Sequence, residues 1–482
     1  MKNYLTFIVA GCVMAWVVLL SGCSGEDAEP NKAPQITVSG DVIGMTGQSL
    51  ALSANASDPD GDALQVSWNI VESPAGSSAS LTNTSNSGAD FSTTIAGFYR
   101  VEVVAEDGRG GQISDVIRLY IGGLLPTSIS SNTVYPDLFD DASIPDYYAK
   151  STLTATAGLT FEPGVVVECD QDVYILINGN AAFIKAEGTA SKNIILRGIQ
   201  KSKGSWRGLG ITSANLNNKL NYVQIFHTGS SDIGGRRTAI RLQSNVSAVL
   251  GIENTVISQS AGHALFVDGN GGVLSSFAGN NFSDNDSAPI RFAAQNLYVL
   301  DGNSTFANNG EQVIEVAAAG NTNARFTTSG TVRAQSIPIL FLSSAEVQSH
   351  LTLEAGTTVL FNGGLRLWIT AEGALTAEGT AAMPITFSAV SEIPGAWRGI
   401  EIHSPSPLNK INYGIVSYGG NTSGRGANIY MFGSTPGSQL TLTNSTISDS
   451  QTYGVRTAAG NALLTESDNN YQNNTSGDIR QD

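Results

Sequence analysis

Short apolar runs alternate with polar positions along most of this 482-residue chain. Typical runs are Ile194-Ile195-Leu196, Leu265-Phe266-Val267 and Leu440-Thr441-Leu442, and Gly, Asn and Ser separate one run from the next. Alternation between turn residues is typical of β-strands, whereas an amphipathic helix repeats its apolar positions every three or four residues. The pattern therefore predicts an all-β protein.

One stretch of this pattern occurs twice. The motif Gly204-Ser205-Trp206-Arg207-Gly208 returns as Gly395-Ala396-Trp397-Arg398-Gly399, and Asn221-Tyr222 returns as Asn412-Tyr413. Both motifs recur at one offset, since 397 − 206 and 413 − 222 are both 191. A constant offset over separate motifs indicates an internal tandem duplication, and short strands bounded by Asn and Gly suit a solenoid with stacked turns.

The repeated unit also carries a family resemblance. The run Ala377-Glu378-Gly379-Thr380-Ala381, followed by Pro384-Ile385-Thr386-Phe387 and Trp397-Arg398-Gly399-Ile400, resembles the right-handed parallel β-helix proteins of the pectin-lyase-like fold. The resemblance implies such a helix over residues 151–482, with copies at about 159–289 and 351–482. Because this fold hosts lyases, hydrolases, epimerases and adhesins, it leaves the function open.

Residues 33–123 follow a different pattern, with seven short alternating runs separated by turn signals. That strand count is typical of an immunoglobulin-like β-sandwich. The motifs Ser57-Asp58-Pro59-Asp60-Gly61-Asp62 and Ala96-Gly97-Phe98-Tyr99-Arg100-Val101 resemble those of PKD-type domains, which implies a spacing or binding role. Residues 124–150 are rich in Pro and Asp, and we expect a linker that becomes the N-terminal cap of the helix.

The carboxylates of the first motif are a candidate metal site. Asp58, Asp60 and Asp62 occupy alternate positions, and Asp107 is expected nearby. An oxygen-rich set of this kind suits Ca²⁺. The alternative is a turn without metal, because Asp, Pro and Gly each favour bend geometry.

The N-terminus predicts export. Lys2 precedes the apolar run Leu5–Leu20, which is short for a membrane-spanning helix and typical of a signal peptide over residues 1–22. Leu20-Ser21-Gly22-Cys23 resembles the bacterial lipobox, which implies that Cys23 is lipidated and that the lipid reaches the membrane; an incidental cysteine is the alternative. Ser24 implies sorting to the outer membrane or cell surface of a Gram-negative bacterium, with residues 23–32 as a tether.

The net charge limits the classes of molecule that the chain is expected to bind. The formal net charge is −16 at pH 7, which argues against nucleic acid because phosphate binding needs clustered Lys and Arg. A polyanionic ligand would need a local basic groove. The candidates for such a groove are Arg236 and Arg237 with Arg241, Lys201, Lys203 and Arg207, and solvated loop charge is the alternative.

The repeated Trp-Arg pairs, Trp206-Arg207 and Trp397-Arg398, admit two interpretations. They could form aromatic platforms with adjacent guanidinium groups that bind a sugar. Alternatively, each Trp packs over a corner of the coil and the Arg covers it. The duplication favours packing, because a repeated residue belongs more naturally to the coil than to one unique site.

The sequence shows no catalytic set. Hydrolases of this fold carry Asn-Thr-Asp, Asp-Asp, Gly-His-Gly and Arg-Ile-Lys motifs, whereas Gly262-His263 is here followed by Ala264 and the other three do not occur in residues 151–482. We therefore expect a non-enzymatic surface lipoprotein that binds a glycan or a surface protein, with Ca²⁺ as its one candidate cofactor. The alternative is a polysaccharide lyase or glycoside hydrolase acting on an acidic glycan, which would need a unique charged cluster on one strand face.

Overall fold

The computed structural model describes residues 29–243, 247–269, 271–318, 322–433 and 437–482. The signal peptide and the lipidated Cys23 lie outside these residues. The all-β prediction is confirmed: the described chain is built from strands, most of them in long parallel sheets, with one 3-10 helix at Ala294–Val299. No helix in these ranges has the length and apolar character needed to cross a membrane.

The N-terminal antiparallel region, residues 35–124, contains eight strands. Their bounds are β1 (Gln35–Val38), β2 (Val42–Met45), β3 (Leu50–Ser57), β4 (Gln65–Glu72), β5 (Ser80–Thr82), β6 (Gly88–Ser92), β7 (Gly97–Glu106) and β8 (Gln112–Leu124). One sheet has the order β1-β3-β6-β5, and the other contains β4, β7 and β8 with β2 parallel to β8. Both sheets contribute to one core, which includes Leu52 and Phe91 from the first and Trp68 and Val101 from the second.

The coil region, residues 128–481, contains the remaining strands. From β9 onward, each strand pairs in parallel with the strand three positions later in the chain, except beside the 3-10 helix. Three strands therefore complete one coil. This arrangement is compatible with a β-helix.

Five sheets run through the coil region. Sheet I continues from β4, β7 and β8 into β11 (Tyr147–Ala149), β14 (Val166–Cys169), β17 (Ile194–Gly198), β20 (Val223–Phe226), β23 (Val256–Ser258), β26 (Asn281–Ser283) and β28 (Thr305–Ala307). Sheet II contains β9 (Ser128–Ile129), β12 (Leu153–Ala155), β15 (Tyr174–Ile177), β18 (Gly208–Ile211), β21 (Thr238–Leu242), β24 (His263–Val267), β27 (Ile290–Phe292), β29 (Ile314–Val316), β32 (Ile339–Phe341), β35 (Thr358–Phe361), β38 (Ile385–Ala389), β41 (Gly414–Ser417), β44 (Thr446–Ser448) and β47 (Asn470–Gln472). Sheet III contains β10 (Thr133–Tyr135), β13 (Gly158–Phe161), β16 (Phe183–Glu187), β19 (Lys219–Asn221), β22 (Val249–Glu253) and β25 (Val273–Ala278).

The other two sheets belong to the second half. Sheet IV contains β30 (Ala324–Phe326), β33 (Ala345–Val347), β36 (Arg366–Ile369), β39 (Gly399–Ile402), β42 (Ala427–Met431), β45 (Tyr453–Thr457) and β48 (Gly477–Gln481). Sheet V contains β31 (Gly330–Val332), β34 (His350–Leu353), β37 (Ala374–Glu378), β40 (Lys410–Asn412), β43 (Gln439–Thr443) and β46 (Leu463–Ser467).

Stacked apolar rows fill the coil interior. On successive strands of sheet II, one row consists of Ile175, Leu209, Ile240, Leu265 and Ile290, all fully buried. Burying each such side chain stabilises the fold by about 1.5–3 kcal/mol relative to leaving it exposed. The alternating sequence pattern arises because these inward residues alternate with outward ones.

The junction between the two regions differs from the predicted linker and cap. Residues 124–150 contribute β9, β10 and β11 to the parallel sheets, and β8 pairs directly with β11 through Gly123 and Tyr147. The coil therefore begins earlier than residue 151. Prolines and acidic residues suggested a linker, but the short strands between them complete a coil.

A buried carboxylate holds this first coil together. Asp146 is fully buried, and its Oδ1 accepts hydrogen bonds from the backbone N–H groups of Leu138 at 2.7 Å and Phe139 at 3.0 Å. Its Oδ2 accepts one from the Val166 N–H at 2.6 Å. Burial raises the pKa of Asp146 to about 6, although these hydrogen bonds favour the ionised form.

The sheets change partners beside the 3-10 helix. Sheet III ends at β25 and sheet I at β28, whereas sheets IV and V begin at β30 and β31. Strands β17 and β38 are equivalent in the duplication (385 − 194 = 191), yet β17 lies in sheet I and β38 in sheet II. The following pair, β18 and β39, lies in sheets II and IV. The second copy is therefore displaced around the coil by one sheet.

The last coil has a charged residue at an inward position. Glu466 occupies the register position that follows the buried Leu442, and Glu466 Oε2 accepts hydrogen bonds from Tyr471 Oη at 2.8 Å and Asn469 Nδ2 at 3.1 Å. A charge at an inward position discourages further strand pairing. Leu464, Tyr471 and Ile479 follow the other buried interior positions, so the last coil is apolar there with one charged residue among them.

Candidate functional site

The two repeated tryptophans close corners of the coil. Trp206 and Trp397 have no exposed surface, and their Nε1 atoms donate to the carbonyl oxygens of Phe226 at 2.7 Å and Ser417 at 2.8 Å. An indole without exposed surface cannot stack on a sugar from solvent. The geometry therefore matches the packing interpretation.

The backbone conformation requires the glycine that follows each Trp-Arg pair. Gly208 and Gly399 adopt φ values of 125° and 101°, a region that L-residues with a side chain rarely occupy. A Cβ at either position would lie 2.5 Å from a carbonyl oxygen of the next coil, that of Ala239 or Ala427. The repeated motif is thus a corner in which only glycine fits.

The arginines of these corners reach the outer face. Arg207 donates through Nε and Nη2 to the Asp232 carbonyl at 3.1 and 2.7 Å, and its guanidinium lies 5.4 Å from the centre of the Tyr174 ring. Arg398 Nη2 lies 3.1 Å from Glu401 Oε1. Both arginines are half-buried, so they cover the corner while remaining accessible in part.

The outer face of sheet II carries an arginine-rich cluster. The guanidinium groups of Arg236, Arg241 and Arg291 lie 5.6, 5.4 and 5.7 Å from the centre of the Phe266 ring. Such distances are typical of cation–π contacts. Arg237 is exposed beside Arg236 on the same loop. The structure therefore brings Arg236, Arg241 and Arg291 to one aromatic side chain.

Carboxylates neutralise part of this cluster. Arg241 Nη2 binds both Asp268 oxygens, at 2.8 and 2.9 Å, and Glu315 Oε2 lies 3.3 Å from Arg291 Nη1 and 3.2 Å from His263 Nε2. Burial raises the pKa of Glu315, but the contacts with His263 and Arg291 outweigh it and hold the pKa below its ordinary value. The His263 and Glu315 side chains are only 8% and 9% exposed, so the pair is closed to a bulky substrate.

A groove of about 570 Å³ lies on the outer face of sheet IV. Its lining residues are Glu346, Gln348, Trp368, Thr370, Ala371, Glu372, His403 and Phe432. Trp368 follows Glu346 in the pairing register, and Glu401, Tyr430 and Arg456 continue the row. Aromatic and acidic side chains from successive coils therefore meet in one open concavity.

Aromatic rings form one wall of this groove. The His403 and Phe432 rings are stacked, with centroids 4.5 Å apart and an interplanar angle of 5°, and Trp368 meets His403 edge-on at 5.7 Å. Trp368 Nε1 and His403 Nε2 are buried without a hydrogen-bond partner in the described structure. Buried polar atoms are normally paired, so these two are candidates for contact with a ligand.

The charges around the groove are largely paired. Glu346 accepts hydrogen bonds from Asn323, Arg325 and Gln348, which lower its pKa despite the opposing effect of burial. Glu401 is fully buried and forms ion pairs with Arg366 and Arg398. Burial is the main reason that the pKa of His403 is lowered, which favours a neutral ring at pH 7. The groove is therefore polar, with compensated charge.

The acidic loop of the N-terminal region brings Asp58, Asp60 and Asp62 together. One carboxylate oxygen from each lies within 4.8 Å of the others. Asp58 Oδ1 accepts the backbone N–H groups of Asp60 at 2.8 Å and Asp62 at 3.1 Å, as in a tight turn. Asp58 Oδ2 and Asp62 Oδ2 are buried without a hydrogen-bond partner in the described structure. An all-oxygen set with two unused oxygens fits Ca²⁺.

Cationic side chains approach this loop. Lys32 Nζ lies 3.0 Å from Asp60 Oδ1, and Arg109 Nη2 lies 3.0 Å from Asp62 Oδ1. Asp107 stands outside the three-carboxylate group, because its oxygens accept hydrogen bonds from Asn31 and from the Arg109 and Gly111 N–H groups. The Asn31 hydrogen bond is the main cause of its lowered pKa.

The sequence pattern alone does not single out this groove, because Trp368, His403 and Phe432 belong to none of the motifs described above. Trp368 lies in β36 beside the buried Ile369, whereas His403 and Phe432 directly follow the last residues of β39 and β42. The pairing register gives coils of 33 and 29 residues here (401 − 368 and 430 − 401), so His403 and Phe432 are one coil apart, and Trp368 lies two residues away from that spacing. That coil-length spacing is the available signal.

Comparisons with known proteins identify no family. No family model and no curated protein matches the chain. Among solved structures, a nucleoside hydrolase-related hypothetical protein from Saccharophagus degradans that is associated with carbohydrate metabolism aligns at 25% identity, with a TM-score of 0.17. The alignment covers 19% of this chain and 26% of the other. A likeness of this extent carries no conclusion about fold or function.

Proposed function

We propose that this protein is a cell-surface lipoprotein whose right-handed parallel β-helix binds a glycan without cleaving it. The observation that carries the proposal is the groove on sheet IV, where Trp368, His403 and Phe432 line one wall and two of their polar ring atoms lack partners. Sugars present apolar ring faces and hydroxyl edges, so aromatic surface beside unused polar atoms suits them.

Coil spacing adds to this fit. Neighbouring strands lie about 4.8 Å apart, so side chains in register repeat along the sheet at that interval. Trp368 lies beside Glu401, which lies beside Tyr430. A saccharide chain laid along the coil axis would meet aromatic and polar groups in turn. The Trp368 Nε1–H would donate to one of its hydroxyls.

The remaining elements support presentation of this groove outside the cell. In the proposal, Cys23 carries the lipid that contacts the membrane, and residues 33–123 form a PKD-type spacer. The second sheet of the N-terminal region is continuous with sheet I through β8, so the spacer and the coil share backbone hydrogen bonds. A glycan or a glycosylated surface protein is the proposed partner, and nucleic acid is not.

The state of the carboxylates supports binding over cleavage. A glycosidase needs two carboxyl groups free to act as acid and base or nucleophile. Glu346 and Glu401 are instead engaged by arginines and amides. A lyase or hydrolase is the second candidate, favoured by the unique His263, Glu315 and Arg291 cluster on sheet II. That cluster is nearly buried, which favours a structural role.

The test compares Trp368→Ala with Phe226→Ala. Phe226 is another half-buried aromatic residue, but it lies on sheet I, away from the groove. We expect the mature wild-type protein and Phe226→Ala to bind the same members of a glycan array, and Trp368→Ala to lose at least about tenfold in affinity, or about 1.4 kcal/mol. Unsaturated products or new reducing ends from any glycan would instead establish the enzymatic alternative.

We also infer that Asp58, Asp60 and Asp62 bind Ca²⁺ and stiffen the acidic loop. Support comes from the three converging carboxylates and from the two buried oxygens that lack partners. Ca²⁺ would displace the Lys32 and Arg109 side chains from Asp60 and Asp62. Because the loop lies beside Asn31 and Lys32, metal binding would act where the tether meets the N-terminal region.

A further inference from the structure

The outer faces of the two copies can be compared position by position. Strands β18 and β39 are equivalent by the 191-residue offset, and the pairing register then fixes the neighbours of each outward residue. The row on sheet II consists of Leu176, Gly210, Arg241, Phe266 and Arg291. The equivalent row on sheet IV consists of Trp368, Glu401, Tyr430, Arg456 and Arg480.

In each copy, an arginine from the equivalent loop lies over the outward row. Gly235-Arg236 in the first copy corresponds to Gly424-Arg425 in the second (425 − 236 = 189), because the second loop is two residues shorter. Arg236 lies 5.6 Å from the Phe266 ring centre, and Arg425 lies 5.3 Å from that of Tyr430. The loop arginine is therefore part of the duplicated unit, whereas the ring beneath it is not, because Tyr430 corresponds to Arg241 and Phe266 corresponds to Arg456 in the two rows.

The rows differ in the ligand that they suit. The first row has Leu176 and Gly210 where the second has Trp368 and Glu401, so it lacks both the indole and the buried carboxylate. Both rows contain two arginines, but Arg241 and Arg291 stand on the strands either side of Phe266, whereas Arg456 and Arg480 follow Tyr430 and both pair with Asp482. The first copy therefore lacks the indole and the buried carboxylate of the second and places its arginines around a single ring.

Part of the positive charge of this cluster is not neutralised by a carboxylate. In the described structure, Arg236 and Arg237 are exposed and form no ion pair with a carboxylate, whereas Arg241 and Arg291 do. Arg241 Nε and His263 Nδ1 are buried without a hydrogen-bond partner, and the His263 ring lies 5.7 Å from Phe266. The cluster thus offers both unpaired charge and unsatisfied polar atoms around one ring.

We infer that this basic strip, consisting of Arg236, Arg237, Arg241 and Arg291 around Phe266, is a second ligand site that binds carboxylate or sulfate groups of an acidic glycan. Arginine recognises planar and tetrahedral oxyanions through paired, charge-assisted hydrogen bonds. On a chain of net charge −16, a polyanion is repelled elsewhere and is held only where arginines cluster. The inference rests on the proposed function only in taking a glycan as the ligand.

The test uses the mature chain with Arg236→Ala and Arg237→Ala combined. The matched control combines Arg100→Ala and Arg118→Ala, which removes the same charge from exposed positions on β7 and β8. Affinities are measured for polygalacturonate, a sulfated galactan and a neutral galactan. We expect the strip variant to lose at least about tenfold in affinity for the acidic glycans, the control to lose little, and added salt to reduce the difference.

The outcomes separate this inference from the proposed function. Wild-type protein that binds neither acidic glycan, or a strip variant that binds both as tightly as the control does, would overturn the basic strip. Binding of neutral galactan that depends on Trp368 would still leave the sheet IV groove standing. Competition by inorganic sulfate or by free galacturonate shows which oxyanion the strip accepts, and competition by neither would contradict an oxyanion site.

Discussion

The two copies of the duplicated unit share their interiors and differ on their outer faces. Trp206 and Trp397 are both fully buried, as are Leu209 and Ile400 beside them. One position further along, the first copy has Gly210 and the second has Glu401, each in the row that faces outward. The interior is constrained by stacking on adjacent coils, whereas an outward position can carry a side chain that forms ion pairs or contacts a ligand. Specificity is therefore to be sought where the copies differ.

The largest expected effects concern the shared interior. Trp206→Ala and Trp397→Ala should each lower the free energy of unfolding of the coil region by about 3–5 kcal/mol, because each removes a fully buried indole and leaves its corner carbonyl unpaired. Urea unfolding followed by circular dichroism measures both. Equal losses would confirm that the corner is the same in both copies. A stable Trp397→Ala variant that had lost glycan binding would instead restore the sugar-platform interpretation.

The buried carboxylate of the second copy, Glu401, tests the difference between the outer faces of the two copies. Glu401→Ala should lower the free energy of unfolding by about 3 kcal/mol or more, because Arg366 and Arg398 would remain beside the groove without their shared partner. Glu378→Ala removes an exposed carboxylate from sheet V and serves as the control, with a change below about 0.5 kcal/mol. The first copy has Gly210 at the equivalent position and so has no such carboxylate. If Glu401→Ala and Glu378→Ala lowered the free energy of unfolding by similar amounts, the structural role of Glu401 in the second copy would be contradicted.

The buried Asp146 of the first coil predicts that the stability of the protein depends on pH, an effect that comes from neither copy of the duplicated unit. The pKa of Asp146 in the folded protein, about 6, lies above its ordinary value of 3.8, so the folded state binds the proton more tightly than the unfolded state. Its contribution to stability is therefore fully present below about pH 4 and falls as the pH rises through about 6, by about 2–3 kcal/mol. Denaturant midpoints between pH 4 and 7 should show this fall in the wild type and not in Asp146→Asn. If the denaturant midpoints of the wild type and Asp146→Asn changed with pH in the same way, the hydrogen bonds that favour ionised Asp146 would outweigh the burial that raises its pKa.

The N-terminal region provides the smallest expected effect. Ca²⁺ in excess over its dissociation constant should raise the unfolding temperature of this region by a few degrees, since a ligand that binds the folded state alone stabilises it. Asp60→Asn should remove the response, whereas the matched exposed variant Asp41→Asn should keep it. A transition that is the same with Ca²⁺ and with a chelator would leave the turn interpretation of this loop.

The strands were largely predictable from alternation. In residues 33–123, each of the seven alternating runs overlaps one strand, and two of them, Gln35–Val38 and Ser80–Thr82, coincide with β1 and β5. Strand β2 was missed because Gly44 interrupts a four-residue run that lies beside a tight turn. The junction was misassigned because its prolines were weighed above the short apolar pairs between them.

The outer surface could not be predicted to the same degree. The 191-residue offset counts residues along the chain, not strands, so it could not reveal that the 3-10 helix at Ala294–Val299 displaces the second copy by one sheet. Trp368, His403 and Phe432 are neighbours only because the intervening coils contain 33 and 29 residues, and loop lengths vary from coil to coil. Interior positions repeat with the strand, whereas groove positions depend on how many residues each loop contains.

The proposal that the outer face of sheet IV binds a glycan is tested most directly by calorimetric titration of one array-selected oligosaccharide into wild-type protein, Trp368→Ala and Phe226→Ala. We predict equal affinity for the wild type and Phe226→Ala, and at least about a tenfold loss for Trp368→Ala with its unfolding temperature nearly unchanged. Undiminished binding by Trp368→Ala would contradict the assignment of this groove as the glycan site.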